Sequence, residues 1–88
     1  KYTKTFQSLN PDQIKSFFVG INKVNLVLEQ QDCIGLRIYN GFSEEEGVNN
    51  LVIVGVDSDG EDLANGVILE RLVPCPRFCP KNSPLISK

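Results

Sequence analysis

Eighty-eight residues give room for one small α+β domain with a thin core. The chain is 41% hydrophobic and 23% charged, as in ordinary globular proteins, with a net charge of −2. Its nine Lys and Arg are scattered, whereas a nucleic-acid surface needs them clustered. No apolar run approaches the ~20 residues of a transmembrane helix, so no membrane-spanning segment is expected. The chain opens at Lys1 without any Met, which reads as a fragment or a processed product. A secretory leader removed upstream would leave no trace here, so the compartment stays open.

The first local signal is Leu9-Asn10-Pro11-Asp12-Gln13-Ile14. Asn10 suits an N-cap, Pro11 the first helical position, and Asp12 the positive end of a helix. Gln13 completes a capping box, and Leu9 can staple onto Ile14. Ile14, Phe17, Phe18 and Ile21 then fall on one helical face. Gly20 and Asn22 predict a break near 18–21, since Gly costs about 1 kcal/mol inside a helix and Asn prefers caps. A second helix is expected over 22–30, burying Val24, Val27 and Leu28; the rival is one continuous helix over 11–30. The helical part therefore covers 9–31.

After Asp32 the period falls to two. Ile34, Leu36 and Ile38 alternate with Arg37 and Tyr39, which predicts a strand with the last two on its opposite face. Asn40-Gly41 and the acidic run Glu44-Glu45-Glu46 read as a solvated connection. Leu51-Val52-Ile53-Val54-Gly55-Val56 is apolar and β-branched, as expected of a strand covered on both faces. Asp57-Ser58-Asp59-Gly60 is turn chemistry, and a third strand is expected within 67–73 after Asn65-Gly66. The sheet thus covers 33–73. Four of the five prolines lie from Pro74 onward, which predicts an extended Pro/Cys-rich tail over 74–88 without regular structure. The expected fold is one or two N-terminal helices packed on a small antiparallel sheet, either a hairpin or a three-stranded meander. Its predicted core is Phe17, Phe18, Leu36, Ile38, Ile53 and Val54.

The run Phe17-Phe18-Val19-Gly20, then Cys33-Ile34-Gly35-Leu36-Arg37-Ile38-Tyr39, then Leu51 to Asp57 with Gly60 and Asp62, then Pro74-Cys75-Pro76-Arg77-Phe78-Cys79, resembles a group of short uncharacterised bacterial proteins. The resemblance spans about 17–85. It implies no activity, ligand or partner. It does imply that helix break, hairpin and cysteine tail form one module.

Asp57, Asp59 and Asp62, gathered around Gly60, are the candidate residues for a hard cation such as calcium. With Gly60 as sixth position of an EF-hand loop, the first and twelfth fall on Gly55 and Gly66, so both required carboxylates are missing. A turn accounts for the same residues. Three cysteines and no His fall short of a structural zinc set. Cys75 and Cys79 fit reduced or buried thiols, a local disulfide, or metal or redox work. A bridge closing that five-residue loop would contribute about 2 kcal/mol on the chain-entropy model. Without His the usual general base is missing, which excludes Ser-His and Cys-His schemes within one chain. No glycine spacing makes a phosphate loop, and no cofactor motif is present.

Arg37 and Tyr39 on one strand face can meet an anion or simply solvent, and Phe78 supplies apolar surface on the tail. The first functional reading is a small non-catalytic interaction or structural module. It would act on a protein partner or a second copy through a sheet edge or the cysteine-bearing tail. The alternative is a metal- or ligand-binding protein using the turn at 57–62 or the cysteines; an enzyme comes third.

Overall fold

The computed structural model describes residues 1–86. Helix α1 spans Tyr2–Leu9 and stops at Asn10, whose N–H and Nδ2 both donate to the carbonyl of Phe6, at 2.8 and 3.1 Å. The expected helix start at Asn10 is thus a helix end. Asn10 here spends both these donors on one of the last open carbonyls of the helix, and a proline just past the end cannot continue the helix. Asn10 to Gln13 forms a turn, closed by Gln13 N–H donating to Asn10 O at 3.1 Å. Ser16–Phe18 is then strand β1, inside the segment expected to be helical. Helix α2 follows at Ile21–Leu28, capped by Gly20 and not by Asn22, with Val27 fully buried and Leu28 exposed.

Asp32, at φ 68°, turns the chain into β2, Gly35–Ser43. β3 is Val48–Val56, β4 Ile68–Leu69 and β5 Val73–Cys75. The strands form two antiparallel sheets, β2-β3-β4 and β1-β5. The chain is therefore α+β, with a three-stranded meander as expected, plus a two-stranded ribbon not foreseen. The tail expected to be extended begins with a strand, and Pro74 sits within it opposite Phe17. A two-stranded ribbon leaves each strand a free side, so the missing proline donor disrupts nothing.

Asn40-Gly41 continues β2 instead of breaking it. A Cβ on Gly41 would lie 3.3 Å from Val52 Cγ2 and 3.4 Å from Asn50 O, so glycine here permits a close strand approach. The hairpin turns later, over Glu44 to Gly47. There Gly47 takes φ 67° and donates to Ser43 O at 2.7 Å, while Ser43 Oγ accepts Glu46 N–H at 3.2 Å.

The contacts cluster into two compact units: residues 1–18 with the chain from Val73 onward, and Val19–Leu72. The first centres on Cys75 and Gln7, whose Nε2 donates to Leu85 O at 2.9 Å. The second buries Val27, Ile53, Val54, Val56, Leu69 and Leu72. Among the expected core residues Ile53 and Val54 are buried and Phe17 half-buried. Phe18, Leu36 and Ile38 are instead 51%, 41% and 57% exposed.

In the second unit α2 lies against β3. A Cβ on Gly55 of β3 would sit tightly against Cys33 Sγ, Gln30 Nε2 and Leu63, at 3.0–3.2 Å. Gln30, just past α2, donates from Nε2 to Val27 O at 2.9 Å and accepts Val67 N–H on Oε1 at 2.8 Å. One amide side chain thereby ties the helix end to the approach to β4.

Candidate functional site

β2 is nine residues long, pairs with β3 on one side, and carries no strand on the other among the described residues. Opposed residues in an antiparallel ladder share a face. The register Arg37↔Val54 and Ile38↔Ile53 therefore sets Gly35, Arg37, Tyr39 and Gly41 on one face and Leu36, Ile38, Asn40 and Phe42 on the other. The expected separation of Arg37 and Tyr39 from the aliphatic row is correct. Its coverage is not, because Phe42, at 64% exposed, joins Leu36 and Ile38 in an apolar row open to solvent.

On the polar face Arg37 Nη1 lies 2.6 Å from Asp62 Oδ1 and donates to Gly60 O at 3.2 Å. Tyr39 OH donates to Asp62 Oδ2. Asp62 is placed by its bridge to Val56, next to the β2 partner strand. The Tyr39 hydrogen bond, opposed next by desolvation and helped by the hydrogen bond and charge of Arg37, holds the Asp62 carboxyl below its ordinary value of 3.8. The same carboxylate raises Tyr39 above 10.0 and Arg37 above its usual value.

The turn at 57–62 engages its own carboxylates. Asp57 Oδ1 accepts the N–H of Asp59 at 2.9 Å and of Glu61 at 3.0 Å, and Gly60 takes φ 81°. Among the described residues no group of three or more His, Cys, Asp or Glu is placed to hold a metal ion. Asp62, one of the three cation candidates, instead faces Arg37 and Tyr39. The glutamates at 44–46 are exposed, and Glu45 Oε1 meets Arg71 Nη2 at 3.3 Å.

In the other unit Cys75 and Cys79 are paired as a disulfide, with Cα atoms 4.8 Å apart, and Cys33 is free. The closed loop carries Phe78, whose ring meets Phe18 edge-on at 5.2 Å. Phe78 remains 60% exposed and borders a shallow recess of about 330 Å³ with Phe17, Phe18 and Pro80. Arg37 and Tyr39 thus share one site, while Phe78 belongs to a separate unit.

Sequence reasoning missed Asn50. Its Oδ1 accepts Leu72 N–H and its Nδ2 donates to Leu72 O, both at 3.1 Å, so the side chain imitates a strand partner. A polar residue at the head of an apolar strand is the signal that could have pointed to it. Among the described residues no helix is long and apolar enough to cross a membrane. Comparison with protein-family models, curated proteins and solved structures gives no match.

Proposed function

We propose that this chain is a non-catalytic interaction module that takes a partner strand on the free edge of β2. The observation that carries the reading is an unprotected edge. A sheet edge presents alternate N–H and C=O groups outward, and native edges are usually guarded by Lys, Pro, bulges or brevity. Gly35–Ser43 has nine residues, no Lys and no Pro, and exposes an aliphatic and aromatic row beside its outer backbone. Strand addition suits such an edge: backbone bonds supply affinity, and alternate side chains supply selectivity. The sequence holds no His, the usual general base, which fits binding better than catalysis.

The test is a photoreactive benzoylphenylalanine at Leu36 in cells producing the chain, with and without Ile38→Lys. The reading expects a protein adduct that the lysine abolishes. No adduct, or one insensitive to the lysine, would overturn it.

A further inference from the structure

We infer that the strand received by β2 is β2 of a second copy of this chain, antiparallel about a two-fold axis at Ile38. The inference rests on the edge reading above and names its partner. A strand paired antiparallel with its own copy is related to it by a two-fold, so the contact is isologous and closes as a dimer. It would join two three-stranded sheets into one of six strands and cover both long edges at once.

Charge permits this pairing. The only charged residue in Gly35–Ser43 is Arg37, and Asp62 compensates it at 2.6 Å within the same chain. Two copies therefore meet without an uncompensated cation on either strand, the charge by which an edge ordinarily repels its own kind.

Register permits it too. With the axis at Ile38, Ile38 faces its own copy, Gly35 faces Gly41, Leu36 faces Asn40 and Arg37 faces Tyr39, while Phe42 meets Ile34, the residue just before β2. Large apolar groups meet at the centre and at both ends of one face. On the other face each guanidinium lies beside a tyrosine ring, a favourable cation–aromatic pair. Moving the axis to Tyr39 would set Ile38 against Asn40 at both of its positions and lose the central aliphatic contact. Asp32 and Glu44 come opposite one another only outside β2, beyond the ladder.

Area sets the strength. The seven residues of β2 that pair with β2 of the copy, 35–41, at about 3.4 Å each make a shared edge about 24 Å long, and a sheet is about 10 Å thick. About 240 Å² per copy, or about 480 Å² in all, falls below the ~1,200 Å² of stable complexes, so the dimer is reversible. Dissociation constants of roughly 10 μM to 1 mM match a contact of this size.

The experiment is sedimentation equilibrium of the full chain from micromolar to millimolar concentration, with circular dichroism as the fold control. The expected result is a mean mass rising from 9.8 kDa toward twice that value, and an Ile38→Lys variant that keeps its fold and stays monomeric. Should Ile38→Lys lose its fold, Phe42→Glu carries the same test, since Phe42 is still more exposed. A constant monomer mass overturns the inference, as does a dimer that survives both substitutions. A monomer that still gives the Leu36 adduct with another protein would retain the edge reading and discard the second copy. A monomer without any adduct would discard both.

Discussion

Arg37 and Asp62 are joined at 2.6 Å across the face of the three-stranded sheet, so the one cation of β2 is neutralised by the turn that follows β3. This contact gives the edge its character. An uncompensated Arg37 would mark β2 as a guarded edge; a compensated one leaves nine residues of backbone and an apolar row without electrostatic protection.

The Arg37–Tyr39–Asp62 cluster should leave a signature in stability against pH. Asp62 is lowered in the fold, so its contribution is present above its ordinary 3.8 and lost as pH falls through the lower folded value. Tyr39 is raised, so its contribution is present below 10.0 and lost as pH rises through the higher folded value. The melting difference between wild type and Asp62→Asn should therefore be flat from about pH 5 to 9, shrinking toward both extremes. All three groups are solvent-accessible, and added salt should reduce the difference. A difference independent of both pH and salt would assign these residues no coupled role.

Asn50, half-buried on β3, should matter more to stability than a polar side chain ordinarily does. Removing its side chain strands the N–H and C=O of Leu72, itself a buried residue. Asn50→Ala should cost about 1–3 kcal/mol in denaturant unfolding. Asn50→Asp keeps the acceptor for Leu72 N–H, but as a carboxylate it sets a second acceptor against Leu72 O, so it should cost less at acid pH, where its O–H can donate there, than near neutral pH. A cost that does not change with pH would show that the two-bond ring is not what stabilises this site.

Gly66 and Gln30 should be energetically coupled. A Cβ at Gly66 would overlap Gln30 Oε1, the atom that accepts Val67 N–H, so Gly66→Ala must displace that hydrogen bond. Gly66→Ala should lower the melting temperature in the wild type and have a smaller effect in Gln30→Ala. The double-mutant cycle measures this, with a coupling of about 0.5–3 kcal/mol expected and additivity contradicting it.

Part of this was legible in the residues. Period-two alternation located β2 and placed Arg37 with Tyr39, because it reports which side chains share a face. It does not report whether that face is covered, so the expected core includes Leu36 and Ile38, which the fold leaves exposed. Asp57 to Gly60 was legible as a turn because both its side-chain acceptor and its positive φ are local. Asn10-Pro11 was ambiguous in principle, since the same residues start and stop helices. Ser16–Phe18 became a strand through Val73–Cys75, a partner far along the chain that no local window contains. Asn50, Gln30 and Asp62 act through distant partners as well, and composition does not reveal such pairings.

A strand received on the outer edge of β2 is read directly by residue-resolved amide hydrogen exchange. The N–H groups of Gly35–Ser43 alternate between β3 and the outer edge, so the outward set is exposed in the free chain. Raising the protein from micromolar to millimolar concentration should slow exchange in the outward set several-fold and leave Ile68 and Leu69 of β4 unchanged. Outward amides that exchange at one constant rate across the whole range would contradict pairing between copies at this edge.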